Sequence, residues 1–297
     1  MQISFRRLAL VGCGLMGGSF ALALRDAGLV DVVAGFSRPH SHAVAFHRKG
    51  IIDEIAISLA DAVDQADLVM VAVPVAAMPG VLDELAELLP DGVLLMDVSS
   101  TKRSVVAHAA NVLGRHLPDF VPAHPIAGKE RAGPGDPFAG LYHDRQIILT
   151  PLESTSTRQV DCARMIWTAL GARVTVLTPA AHDRGLAAVS HLPHLLAFAY
   201  MWGLLAQPDA EELLGLGGPG FRDFSRIAGC EPTVWRDILR DNRDQTLEQL
   251  AHFRQALDRF EQAMVQDDPT ALADLLQRAY EARLAWRPTG DTGSVPA

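Results

Sequence analysis

Cysteine is scarce: Cys13, Cys162 and Cys230 are the only three in 297 residues. Odd in number and far apart, they exclude a disulfide framework and argue against a zinc site. Positive charge is in deficit, with 26 Lys and Arg against 35 Asp and Glu and a net charge of -9. Such a chain repels phosphate backbones, so a general nucleic-acid partner is excluded. An anionic substrate would need a few cations set locally against that field. Aromatics are only 6%, yet hydrophobic residues reach 49%, which excludes wholesale disorder. Long apolar runs are also lacking. The stretch from Arg7 to Cys13 is too short for a secretory core, although Leu10-Val11-Gly12-Cys13 imitates a lipoprotein cleavage box. Residues 185–206 approach membrane-spanning length but carry Ser190, His191, Pro193 and His194, which reads as a buried helix. A soluble, cytoplasmic protein with no membrane partner is expected.

The first half alternates strand and helix patterns. Apolar runs at 8–11, 31–36, 68–73 and 93–97 read as strands, and 15–27, 41–49, 78–89 and 102–113 as helices. That rhythm predicts a parallel sheet covered on both faces. The stretch from Pro122 to Tyr142 is rich in Gly and Pro and reads as irregular. Strands at 146–149 and 174–177 flank a helix at 156–170. After Ala180 only helical spacing remains, at 181–205, 235–265 and 269–286. The division is therefore 1–178, an α/β domain, and 179–287, an all-α domain, with 288–297 a loose polar tail.

Gly12-Cys13-Gly14-Leu15-Met16-Gly17 fits G-x-G-x-x-G between a strand and a helix, the fingerprint of a Rossmann-type dinucleotide site. Gly12 makes the tight turn, Gly14 lets the backbone approach a pyrophosphate, and Gly17 permits close helix–strand packing. Leu15 and Met16 at the helix start, and Val73 and Pro74 after the third strand, are expected to contact the same cofactor. The second strand ends Phe36-Ser37-Arg38, with no acid for the ribose hydroxyls. Ser37 and Arg38 suit a 2′-phosphate, so NADP is expected over NAD, with NAD the alternative.

Three further segments stand out. They are Asp97-Val98-Ser99-Ser100-Thr101-Lys102, His124-Pro125-Ile126-Ala127-Gly128-Lys129-Glu130, and Ser190-His191-Leu192-Pro193-His194 with Phe221-Arg222-Asp223-Phe224-Ser225-Arg226-Ile227-Ala228 and Trp235 beyond it. His124 is the candidate general base, because a neutral imidazole suits proton removal near neutral pH. Arg226 is the candidate carboxylate clamp, since guanidinium offers paired donors.

Taken in order, GxGLMGGS, DxxSxK, HPIAGKE, SHLPH and FxDFxRIA, with a Trp nine residues after the Arg, resemble the prephenate/arogenate dehydrogenases of tyrosine biosynthesis, over roughly residues 5–285. The resemblance implies a Rossmann-type domain joined to a helical domain that forms a homodimer. It implies oxidative decarboxylation of a cyclohexadienyl ring, with hydride passing to the nicotinamide. In that family the residue matching His124 bonds the substrate hydroxyl, and Ser100 would bond the same hydroxyl or fix the imidazole tautomer. Arg226 would meet a substrate carboxylate. His194 matches a second substrate-contacting His, although His191 competes for that place. Glu130 and Trp235 match positions that line or gate the pocket, Lys129 follows Gly128 where a charge could feel the substrate's side chain, and Lys102 would support the nicotinamide side or its own turn. Lys129 favours the keto acid prephenate and Glu130 the amino acid arogenate, so the substrate stays open. A two-domain hydroxyacid dehydrogenase or imine reductase, and a non-catalytic NADP sensor, are the competing readings.

Overall fold

The computed structural model of the chain describes residues 3–127 and 136–287. The four apolar runs of the first hundred residues are strands, joined by two very short ones. They are β1 (Phe5–Val11), β2 (Val30–Phe36), β3 (Glu54–Ile55), β4 (Leu68–Val71), β5 (Leu94–Asp97) and β6 (Phe120–Val121). All pair in parallel, in the order β3-β2-β1-β4-β5-β6. β4 and β5 are buried at every residue because helices cover both faces, which is why they lack polar alternation. The crossovers are α1 (Leu15–Asp26), α2 (His40–Arg48), α3 (Leu59–Val63), α4 (Met78–Ala86) and α5 (Arg103–Val112). The strand order reverses between β1 and β4, so a crevice opens at their carboxyl ends.

One core cluster packs Phe20, Leu24, Tyr142 and Trp167 on one face of the sheet, and another packs Leu59, Leu82, Leu85 and Phe120 on the other. Trp167 lies 5.0 Å, ring to ring, from both Phe20 and Tyr142. Burial of this kind contributes roughly 1.5–3 kcal/mol per large apolar side chain.

A second sheet follows: β7 (Ala123–Ile126), β8 (Gln146–Leu149) and, after α6 (Thr157–Ala169), β9 (Arg173–Val176). β7 runs antiparallel to β8, and β8 parallel to β9. The start of the stretch that reads as irregular is thus a strand, and it carries His124. Pro125 masks it, because proline is tolerated only in edge strands, and β7 is an edge.

Beyond Val176 the described residues form helices. Thr178 caps α7 (Pro179–Leu186), accepting from the Ala181 N–H at 3.1 Å. A π-helical turn, Ala187–His191, leads into α8 (Leu192–Leu205). Pro193 sits in the first turn of α8, so the helical phase is disturbed just before the proline. α9 (Ala210–Gly215), α10 (Pro219–Ser225), α11 (Pro232–Asp241), α12 (Arg243–Val265) and α13 (Pro269–Ala285) complete the chain. The single helix expected over 235–265 is broken at Asn242, a buried residue whose amide is engaged elsewhere.

Candidate active site

β1 ends at Val11 and α1 begins at Leu15, so three residues must turn the chain. Gly12 does so with φ 106°, and a Cβ there would strike the Ala72 carbonyl. A Cβ on Gly17 would come within 2.7 Å of the Gly12 carbonyl oxygen and 2.8 Å of Leu10, so only glycine lets α1 lie this close to the sheet. Gly14 caps α1 and faces open space. A cavity of about 520 Å³ opens there, lined by Gly12, Gly14, Ser37, Arg38, Val73 and Pro74, with His42 close by. Bare glycine backbone beside the unpaired N–H groups of a helix start fits a dinucleotide pyrophosphate. Leu15, Met16 and Gly17 are not on this wall. Leu15 and Met16 pack on the core, and the Met16 carbonyl accepts from the Tyr142 hydroxyl at 2.6 Å.

Lys102 is likewise not on a cofactor surface. It is wholly buried, and its Nζ donates to Asp97 and to the Ala123 carbonyl, both at 2.6 Å. Asp97 also accepts from the Ser99 N–H at 2.9 Å and the Ala123 N–H at 3.1 Å. Burial pulls the Lys102 pKa down, and the charge and hydrogen bond of Asp97 oppose that. The pair clamps the first residue of β7 to the end of β5, and so fixes His124, the next residue. The direct cofactor contact expected of Lys102 gives way to this clamp, because the side chain is wholly buried and two of its three donors are engaged inside the protein.

His124 is half-buried, and its Nδ1 lies 2.8 Å from Nε2 of His182. His182 Nδ1 lies 2.7 Å from Asp183. Asp183 also accepts from the N–H groups of Lys102 (2.8 Å) and Arg103 (2.9 Å) and from Arg103 Nε (3.3 Å). It therefore caps α5, which has no side-chain cap of its own. Burial pushes the Asp183 pKa up, but the hydrogen bonds outweigh it and leave it below the usual carboxylate value. An ionised Asp183 only accepts, so the proton between it and His182 belongs to His182 Nδ1. In the neutral ring Nε2 is then an acceptor, and His124 must donate from Nδ1. The lone pair of His124 is left on Nε2. Burial above all, with the neighbouring Lys102 cation adding to it, holds the His124 pKa well below its ordinary value, so the ring is neutral. Of the two roles expected of Ser100, fixing the imidazole tautomer falls instead to His182.

His124 and Ser100 line a second cavity of about 380 Å³ with His191, Trp235 and Arg145. Ser100 has no hydrogen-bond partner among the described residues. Asn242 accepts from Arg103 through its oxygen at 3.1 Å, which identifies Nδ2 as the donor to the Asp183 carbonyl (2.8 Å) and to His191 Nδ1 (3.1 Å). Burial lowers the His191 pKa to about 4, so His191 is neutral and carries its proton on Nε2. Of the two candidate histidines, His191 lines the cavity. His194 instead stacks on Trp235 at 3.6 Å and donates from Nδ1 to the Ser190 carbonyl at 2.8 Å. Arg226 is exposed on the turn Arg226–Gly229, outside the set of lining residues, although its charge helps burial lower the His194 pKa. Lys129 and Glu130 lie outside the described residues. Sequence reasoning missed His182, Asp183, Asn242 and Arg145. None belongs to a spacing pattern, and the adjacent His182-Asp183 pair was the one available signal.

The family described as "Prephenate dehydrogenase, nucleotide-binding domain" matches residues 20–176, and "Prephenate dehydrogenase, dimerization domain" matches residues 178–278. The chain is 32% identical to a cyclohexadienyl dehydrogenase of Zymomonas mobilis, over 97% of this chain and 98% of that protein. It superposes with a TM-score of 0.89 and 31% identity on the prephenate dehydrogenase of Aquifex aeolicus solved with hydroxyphenyl propionate and NAD+, covering 96% and 99% of the two chains. With the arogenate dehydrogenase of Synechocystis the TM-score is 0.79 and the identity 28%, over 93% and 98% of the chains.

Proposed function

Because the chain belongs to the prephenate dehydrogenase family, we propose that it oxidatively decarboxylates a cyclohexadienyl substrate in tyrosine biosynthesis, converting prephenate to 4-hydroxyphenylpyruvate or arogenate to tyrosine, with NADP preferred. The observation that carries the reading is a neutral His124 whose Nδ1 is committed to His182, leaving Nε2 for a substrate hydroxyl. Nicotinamide, when bound, supplies the hydride acceptor. His124 Nε2 takes the hydroxyl proton. Ser100 offers its hydroxyl to the same oxygen, and the His191 Nε2–H is a further donor in the same cavity. Loss of the ring carboxylate as carbon dioxide restores aromaticity and drives the reaction one way. Arg226 is assigned to a substrate carboxylate and His194 to a further substrate contact, and Trp235 holds His194 by stacking.

What supports NADP is the absence of a carboxylate after β2, where Ser37, Arg38 and His42 line the cavity. Arg38 rests on Glu84 at 3.0 Å and above the Phe36 ring. Both partners of that pair are well exposed, so a phosphate displaces Glu84 at a cost of about 1 kcal/mol or less. NAD is the alternative, being the cofactor in the Aquifex structure. A soluble cytoplasmic homodimer completes the reading. Tyr200, Trp202 and Leu205 are exposed apolar side chains of α8, of the kind a second copy would cover. Sedimentation that finds only monomer rejects the dimer.

The test is a matrix of prephenate and arogenate, each with NADP and NAD, following reduced nicotinamide. Turnover in at least one cell is expected, with NADP the better acceptor. No turnover in any cell rejects the function, and a higher kcat/KM for NAD rejects the preference. In the active cell, His124→Asn should lower kcat by about 10² or more.

A further inference from the structure

Arg145 stands on the wall of the cavity that holds His124, Ser100 and His191. It directly precedes β8, whose antiparallel register sets Gln146 against Ile126 and Ile148 against His124. Its place beside the mouth of the site is therefore fixed by the same strand pair that carries the base. Its backbone is pinned on both sides: the N–H donates to the Tyr142 carbonyl at 3.0 Å, and its carbonyl accepts from the Arg173 N–H at 2.8 Å. The guanidinium has no ion pair or hydrogen bond with any described residue. The neighbouring Asp144 is engaged instead by His143 at 3.1 Å and Arg173 at 3.6 Å. Arg145 is exposed to solvent at the cavity wall, and among the described residues no carboxylate pairs with it. The two imidazoles of the same cavity, His124 and His191, are both held neutral by burial, so among the described lining residues Arg145 carries the fixed positive charge.

We propose that Arg145 is a substrate-anchoring residue that binds the side-chain carboxylate of a dianionic cyclohexadienyl substrate. The inference rests on the proposed reaction. The ring carboxylate is the wrong target for it, because a cation there would stabilise the ground state more than a transition state that is losing that charge. An anchor on the side-chain carboxylate holds ground state and transition state alike. Its loss is therefore read in KM and spares kcat.

The experiment compares Arg145→Gln and Arg145→Lys with wild type in the full chain, with prephenate as substrate and saturating cofactor. Arg145→Gln should raise the substrate KM by about tenfold to a hundredfold, with kcat and cofactor KM unchanged, and Arg145→Lys should recover part of the loss. An isosteric pair of ligands separates anchoring from structure: 3-(4-hydroxyphenyl)propionate and its carboxamide, titrated calorimetrically into each protein. Wild type should prefer the carboxylate, and Arg145→Gln should lose that preference while binding the carboxamide as before. An unchanged carboxylate-to-carboxamide ratio overturns the proposal, as does an equal loss for both ligands. Because the titration needs no turnover, it decides the role of Arg145 even if the reaction itself proves wrong.

Discussion

Replacing Asp183 with asparagine exchanges one carboxylate oxygen for an NH2 group at a site where four donors converge. Oδ1 accepts from His182 Nδ1 and the Lys102 N–H, and Oδ2 accepts from Arg103 N and Nε. Whichever oxygen is lost, an NH2 then faces two donors. Arg103 cannot become an acceptor, but His182 can reverse its tautomer. The amide is expected to keep its oxygen on Arg103 and turn its NH2 to His182. His182 Nδ1 then accepts, its Nε2–H donates to His124 Nδ1, and His124 carries its proton on Nε2, where the base lone pair should be. To react, the chain of imidazoles must return to the disfavoured arrangement. That costs roughly one charge-assisted hydrogen bond, about 1.5–3 kcal/mol. At about 1.4 kcal/mol per tenfold, kcat should fall about tenfold to a hundredfold. The Lys102 N–H also loses its acceptor, so urea denaturation should register a loss of stability. Steady-state kinetics on folded protein, with saturating cofactor and substrate, reads the effect. If folded Asp183→Asn keeps kcat within about threefold of wild type, Asp183 only caps α5, and the tautomer argument is refuted.

Three other outcomes are expected. Lys102→Met should destabilise the fold by about 3–5 kcal/mol, because it leaves Asp97 buried without its partner; Lys102→Met with Asp97→Asn should recover part of the loss in a denaturant titration, and no recovery would deny the pair its role. The acid limb of kcat/KM should lie below pH 6.5, since the depressed pKa of His124 keeps the base form present as pH falls and loses it only on passing through the folded-state pKa; a limb at or above 6.5 contradicts the assignment. His191, about 4 when folded and 6.5 when unfolded, should cost stability as pH falls from 6.5 towards 4, because only the unfolded chain takes up the proton in that window. The shift amounts to about 3 kcal/mol at most, and a His191→Gln protein with the same pH dependence as wild type would remove His191 as its source.

Much of the fold was legible because short-range patterns encode it. Continuous apolar runs become buried parallel strands wherever helices cover both faces, and β1, β2, β4 and β5 follow that rule. Gly12 and Gly17 are required by backbone sterics within a single turn, so their roles are legible in the glycine motif itself. The glycine motif and the five motifs in order pointed to the cofactor class and the family. β7 was lost because Pro125 interrupts its pattern, and the break at Asn242 because its cause lies across the fold.

Local patterns along the chain specify the strand–glycine–helix cradle, the doubly covered sheet, the helical region after Val176 and His124 as a chemical candidate. All of these depend on residues close together along the chain. Only contacts across the fold settle which nitrogen of His124 keeps its lone pair, since His182 reaches it from 58 positions away and Asp183 caps α5 across 81. They decide that Lys102 clamps β7 from inside the core, and that His191 lines the cavity while His194 stacks on Trp235. They also set Arg145 on the wall of the cavity that holds His124, without a motif to announce it. The physical reason is common to all four: protonation, tautomer and the reach of a charge depend on desolvation and on partners distant in sequence, which no periodicity records.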